Sequence, residues 1–153
     1  MLLVLCLGFV GCKGCKDEEK EEQKETITYT TLYLKTTSHP QGGTAVTSVS
    51  ATFSGQLNYT TTTKMWAPEE QGTPEPITAT FEWWWHDYYG QNEKNVKSET
   101  HRFTSPSSEQ FTTTYSAGQG NVLLNYYWVK VYWNDKDSDK TYQEMETNKA
   151  FCQ

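Results

Sequence analysis

Apolar and polar residues alternate along most of this chain, most sharply in two stretches. Ile77, Ala79, Phe81, Trp83 and Trp85 interleave with Thr78, Thr80, Glu82, Trp84 and His86, the period-two signature of a strand with one buried face. Asn121 to Trp133 is the longest run of strand formers, with Val, Tyr and Trp where a helix would favour Ala, Glu and Lys. The pattern predicts a central strand there, its inward face carrying Tyr127, Val129 and Val131. Its partner is Ile77 to Tyr89, because neither aromatic-rich strand finds enough apolar cover alone.

The remaining segments are weaker versions of the same pattern. In Ala45 to Tyr59, Val49, Ala51, Phe53, Leu57 and Tyr59 share one parity while Ser48, Ser50, Thr52, Ser54, Gln56 and Asn58 share the other, with Gly55 marking a kink or bulge. Thr26 to Lys35 alternates less cleanly. Its apolar residues Ile27, Tyr29, Leu32 and Leu34 switch parity near Thr30-Thr31, as a bulge or a change of sheet would produce. The polar stretch Val96 to Phe103 predicts an edge strand, Phe111, Thr113 and Tyr115 a short inward set, and Thr141 to Cys152 a closing strand. Turn residues separate them: Ser38 to Gly43, the proline-rich 64–76, Gly90-Gln91-Asn92, Pro106 and Gly118 to Gly120. About seven strands without an amphipathic helix predict an all-β, two-sheet sandwich over residues 26–153. A small closed β-barrel is the alternative.

Composition sharpens this picture in two ways. Leu, Ile and Val are few while aromatics make up 14%, so Trp, Tyr and Phe must supply most of the core. A formal net charge of -6 without a basic cluster argues against nucleic-acid binding, which needs grouped Lys and Arg to neutralise phosphates.

The beginning of the chain is of another kind. Leu2 to Gly11 is apolar but too short to span a bilayer, which takes about 20 residues, and it predicts a signal peptide over 1–11. It ends in Phe9-Val10-Gly11-Cys12, which resembles the bacterial lipobox and implies lipidation of Cys12 and attachment to a membrane. The resemblance covers residues 1 to 12. No Lys or Arg precedes the apolar block, which implies a start upstream of Met1 or a truncated chain, and Phe9 stands where Leu is commoner. Cys15 is a competing acceptor, but Lys13 would then fall inside the apolar window. From Lys13 to Glu25, Asp17, Glu18, Glu19, Glu21, Glu22 and Glu25 face four Lys; such a run buries nothing and serves as a tether over 12–25. Its Lys16-Asp17-Glu18-Glu19 resembles the export signal of Bacteroidetes surface lipoproteins, which implies an outer-membrane, surface-exposed location in the cell envelope. Charged tethers are equally at home in lipoproteins that stay in the periplasm.

A second resemblance lies in the central strand. Tyr127-x-Val129-x-Val131 after a glycine-rich corner is similar to the sixth strand of fibronectin type III and related immunoglobulin-like domains. It covers one strand in sequence and residues 26–152 in strand count. It implies an immunoglobulin-like sandwich with Tyr127 packed at the corner and bonded back to the backbone. A pair of core cysteines is absent from the sequence.

Candidate chemistry is sparse. Asp135, Asp137, Asp139 and Glu146 have the ligand spacing of a calcium loop, but Lys140 stands where the sharp turn needs Gly, and Asp and Ser equally build a hairpin turn. His39, His86 and His101 are scattered without a Cys pair at metal-ligand spacing. His86 and Asp87, adjacent on a strand, point to opposite faces. Neither a Gly-x-Ser-x-Gly elbow nor a phosphate loop is present, so neither catalysis nor a cofactor is expected. Trp84, Trp128 and Tyr132 have the wrong parity for the core. They form an outer aromatic platform for a sugar ring or a partner protein, unless a loop or second layer covers them. Cys15 and Cys152 are the two thiols that could pair in an oxidising compartment. The expected function is an envelope-anchored, non-catalytic binding or adhesion module for a glycan or protein partner. The alternative is a structural accessory subunit of an envelope complex.

Overall fold

The computed structural model describes residues 26–63, 74–116 and 124–153, in which antiparallel strands alternate with short turns. In chain order these are β1 (Thr26–Ser38), β2 (Ser48–Thr63), β3 (Ile77–Asp87), β4 (Lys94–Phe103), β5 (Glu109–Ser116), β6 (Asn125–Asn134), β7 (Tyr142–Glu146) and β8 (Ala150–Cys152). One sheet has the order β1-β2-β5, and the other has β4-β3-β6-β7 with β8 also on β6. The chain therefore crosses between sheets after β2, β4 and β5. This is an all-β, two-sheet sandwich, and the barrel alternative falls because the sheets do not close.

β7 and β8 flank one interruption. β7 pairs with Lys130–Asn134 and β8 with Asn125–Tyr127 along the same strand. Between them Thr147 exchanges two bonds with Val129: the Val129 N–H donates to Thr147 Oγ1 at 3.0 Å, and the Thr147 N–H donates to the Val129 carbonyl at 3.0 Å. The expected closing strand is thus present but broken in the middle.

The inward sets on β3 and β6 are those the alternation predicts. Phe81, Trp83, Val129 and Val131 are fully buried, and Phe81 and Trp83 stand opposite Val131 and Val129 in the register. Across the sandwich the Phe81 ring meets Phe53 at 4.9 Å and Phe111 at 4.6 Å. Each such side chain stabilises the fold by about 1.5–3 kcal/mol relative to exposure, which is how a chain poor in Leu and Ile holds a core. Tyr127 joins this interior 5.6 Å from the Tyr115 ring. Its hydroxyl meets the Asn125 side chain, and burial pushes its pKa up. A side chain thus fills the role that the family resemblance gives to an upstream backbone atom.

Three expectations are corrected. Gly55 is neither kink nor bulge, since the ladder with β1 runs through it without a shift and the ladder with β5 reaches it in register as its last pair. It is Gly because a Cβ there would sit 2.3 Å from the Phe103 ring, so the absence of a side chain lets β4 pack onto β2. The parity switch at Thr30-Thr31 produces no bulge either, and the register shift of β1 lies between Thr36 and Ser38. Thr30 shares the inner face with Leu32 and Leu34 and is fully buried. Its hydroxyl accepts the Glu75 N–H at 3.1 Å, and its backbone bridges Lys136. Finally, β3 stops at Asp87, so Tyr88 and Tyr89 belong to a turn.

Candidate functional site

Alternation sends Glu82, Trp84 and His86 of β3, and Tyr126, Trp128, Lys130 and Tyr132 of β6, to the outer face of their sheet. The register sets Trp84 opposite Trp128, His86 opposite Tyr126 and Glu82 opposite Lys130. The sequence-predicted trio therefore shares one face, but it is not an open platform. Trp84 and Tyr132 are half-buried and Trp128 is only 1% exposed. The cover comes from the same chain: the Lys149 ammonium lies 4.1 Å from the Trp128 ring, Lys130 lies 4.2 Å from Trp84 and 5.7 Å from Trp128, and the His86 ring is 5.2 Å from Trp128. Lys149 is brought there by the break between β7 and β8, which period-two reasoning does not foresee. The Trp128 Nε1–H is buried without a hydrogen-bond partner, a cost of about 1–3 kcal/mol. Cation–π contact worth up to about 2 kcal/mol when desolvated offsets much of it. Trp84 donates to Glu82 at 2.9 Å. Tyr132 stacks on Tyr142 at 6.3 Å, and its hydroxyl is pushed up to about 12, first by burial and then by the Glu82 carboxylate.

Tyr142, on this same face, and Tyr33 on β1 are exposed singly, whereas two adjacent accessible aromatics stand in the turn after β3. Tyr88 is 54% and Tyr89 82% exposed. Asp87 builds this turn: Oδ1 accepts the N–H groups of Tyr89 at 3.1 Å and Gln91 at 2.7 Å, and Oδ2 accepts the Asn92 amide at 2.8 Å. Gly90 and Asn92 supply the left-handed backbone, with φ of 73° and 56°. Desolvation would raise the Asp87 pKa, but the hydrogen bonds from Gln91, Asn92 and Tyr89 outweigh it and hold the carboxyl below its usual range. A file of rings runs inward from this tip. Tyr89 meets Tyr88 edge-on at 5.5 Å, Tyr88 approaches Phe151 at 6.0 Å, Phe151 touches Tyr126 at 4.8 Å, and Tyr126 touches His86 at 4.8 Å.

This turn lies at one pole of the sandwich, beside the start of β6 and the end of β8. The beginning of β1 lies at the other pole, where Thr26 pairs with Thr63 and Thr30 bridges Lys136. The sequence held a signal for the tyrosine tip, in two Tyr directly before Gly and after Asp, but the alternation absorbed them into the strand.

The carboxylates with calcium-loop spacing do not converge. Asp135 is buried and accepts the Leu32 N–H at 2.9 Å, the Trp133 indole N–H at 3.2 Å and the Gln143 amide at 3.2 Å. Asp137 caps its turn by accepting the N–H of Thr141 at 2.9 Å and its hydroxyl at 2.6 Å, bonds that lower its pKa. Asp139 is exposed, and Glu146 stands on β7 opposite Lys130. Among the described residues, His, Cys, Asp and Glu form no group of three able to hold a metal. The hairpin-turn reading of this segment is the one the geometry follows.

The three histidines are likewise separate. His39 Nδ1 accepts the Asn148 N–H at 3.0 Å, His86 Nδ1 donates to the Asp87 carbonyl at 2.7 Å, and His101 Nε2 meets Glu109 at 2.9 Å. Cys152 is a free thiol, 1% exposed, with a pKa pushed up by burial. Cys12 and Cys15, with the rest of residues 1–25 where the signal peptide and tether are expected, lie outside the described residues. No protein-family model matches this chain, and no curated protein matches it.

Proposed function

We propose that this chain is a lipid-anchored, non-catalytic protein of a bacterial cell envelope, of the outer membrane and its exposed face, that binds a glycan or a protein partner through the tyrosine-tipped pole. The observation that carries the reading is the pairing of Tyr88 and Tyr89 on a braced turn, at the pole opposite the one where the tether joins β1. Rings held by a capped turn on a rigid sheet lose little conformational freedom on binding. The lipobox-like Phe9-Val10-Gly11-Cys12 and the charged run after it support the anchor. With the tether on the far side, the tip stays clear of its own attachment.

Two experiments test the two halves separately. Cys12→Ala should turn a membrane-bound species into a soluble or unprocessed one; identical fractionation and mass for wild type and variant would remove the anchor. A glycan array and a pull-down from envelope extract, each repeated with Tyr88→Ala and Tyr89→Ala, should lose signal in one assay or the other. Binding that survives both substitutions would favour a structural accessory subunit, which needs no exposed tip.

A further inference from the structure

The edges of the two sheets are not equally protected. An unpaired row of backbone N–H and C=O groups is a template for another strand, and proteins blunt it with charge, brevity, bulges or cover. β4 carries Lys94, Lys97, Glu99 and Arg102, and its ladder with β3 is shifted by an irregularity at Trp83/Trp84. On β5 the Thr114 carbonyl is occupied by Lys97 Nζ at 2.8 Å. β7 has five residues, two of them Glu, and β8 has three. By contrast β1 runs for 13 residues with Lys35 as its single charge and without proline, and its own register shift, between Thr36 and Ser38, lies at the far end of the stretch Leu32 to Thr36.

Its edge is only partly used. The N–H and C=O of Thr30 both bond Lys136, and the Leu32 N–H is taken by Asp135. Because alternate residues present their backbone groups to the same side, the next in this row are Leu34 and Thr36. Among the described residues nothing pairs with them on that side. Beside them, along the β1 edge, lies an open groove of about 310 Å³ whose lining includes Leu32, Tyr33, Leu34, Trp133, Asp135 and Gln143. Nearby, the Thr36 hydroxyl is buried without a partner.

We propose that the β1 edge from Leu32 to Thr36 is a strand-addition site, which takes one extended peptide segment of a partner protein. The segment adds a fourth strand to the β1-β2-β5 sheet, sends an apolar side chain into the groove, and sets an acidic one beside Lys35. Two features select a lone strand over a second copy of this chain. The β1-β2-β5 sheet is narrower than the β4-β3-β6-β7 sheet it faces, so one strand fills the missing position, whereas a second sandwich would bring its own wide sheet against β7. Lys35 is exposed and has no acidic partner among the described residues, and an acidic residue on the incoming strand supplies one. Backbone pairing gives such a site its affinity, and the alternate side chains give it selectivity. The site is independent of the anchor and of the tyrosine tip, so failure of either leaves it untouched.

The test uses the full chain carrying Cys12→Ala and a fluorescent synthetic peptide of alternating Val and Glu as the probe. Hydrogen exchange should find the Leu34 and Thr36 amides unprotected in the free chain and slowed at least tenfold with the peptide. Thr36→Pro, which deletes an N–H that β2 does not use, should abolish peptide binding while leaving the melting curve close to that of the parent. Lys35→Glu should weaken binding of this acidic peptide by about fivefold and spare a Val/Lys peptide. Amides already protected in dilute free chain, or peptide binding indifferent to Thr36→Pro, would overturn the proposal. Protection that grows with protein concentration without peptide would replace the partner segment with a second copy.

Discussion

The two flanks of the sandwich, where the edges of the sheets meet, are sealed in opposite ways. On the β4–β5 flank the seal is spread over several side chains. Trp83 Nε1–H donates to Thr113 Oγ1 at 2.8 Å, the Thr113 hydroxyl donates to Glu99, and Glu99 pairs with Lys97 at 3.0 Å. Further along, His101 pairs with Glu109 and stacks on Phe111 at 4.5 Å. On the β1 flank the side-chain seal is gathered on one buried carboxylate: beside the two backbone bonds of Thr30 with Lys136, Asp135 holds the backbone of β1, an indole of β6 and an amide of β7. Above it the flank is open. A seal spread over several side chains tolerates the loss of any one member better than a seal concentrated on one carboxylate.

Mutation should expose that asymmetry. Asp135→Ala strands the buried Leu32 and Trp133 donors together and should destabilise the chain by about 3–5 kcal/mol, read as a fall in the denaturant midpoint. A loss under 1 kcal/mol would mean that the flank does not depend on this carboxylate. Thr113→Val removes the link between Trp83 and Glu99, leaves one buried indole N–H unpaired, and should cost about 1–3 kcal/mol. If it costs as much as Asp135→Ala, the contrast between the flanks disappears. His101→Gln replaces a partly exposed imidazole–carboxylate contact by an amide one, and the same denaturation curve should move by less than about 1 kcal/mol.

The smallest effect concerns the turns that cap the two poles. The hydrogen bonds that Asp137 accepts from Thr141, and those that Asp87 accepts from Gln91, Asn92 and Tyr89, hold both carboxyls below their ordinary pKa of 3.8. Their contribution is therefore fully present above pH 3.8 and is lost as pH falls through the lowered values. An acid titration should show both turns loosening only below pH 3.8, followed by the amide signals of Gln91 and Thr141. Loosening near pH 5 would contradict the capping geometry.

What the sequence made legible was whatever obeys a local period. Phe81, Trp83, Val129 and Val131 alternate, and they are the core. The polar strand ending at Phe103 lies at an edge, as its composition implies. What the period cannot show is a partner distant along the chain. Asp135 reads as a turn residue or an ion ligand because the backbone group it serves belongs to Leu32, 103 positions away. Trp128 reads as an exposed ring because the lysine that covers it arrives through an interruption at Thr147, and a broken ladder leaves no mark on alternation. Thr30 looked like an irregularity because a threonine on an inner face appears polar until its hydroxyl and backbone are seen to be engaged by Glu75 and Lys136.

The bond between Leu32 and Asp135 also sets a clock. Synthesis proceeds from the N-terminus at about 5–20 residues per second, so the 103 positions between them correspond to a delay on the order of 5–20 s. Once Thr63 has followed, β1 can find β2, its neighbour in sequence, but for the rest of that interval it cannot find the carboxylate that seals its other side. Long-range pairings of this kind form slowly because the loop must close before any contact rewards it. The nascent chain therefore passes through a stage in which its longest weakly charged edge is fully formed and wholly unguarded. Its hazard of mispairing is greatest in those seconds, before Asp135 and Lys136 arrive to engage Leu32 and Thr30.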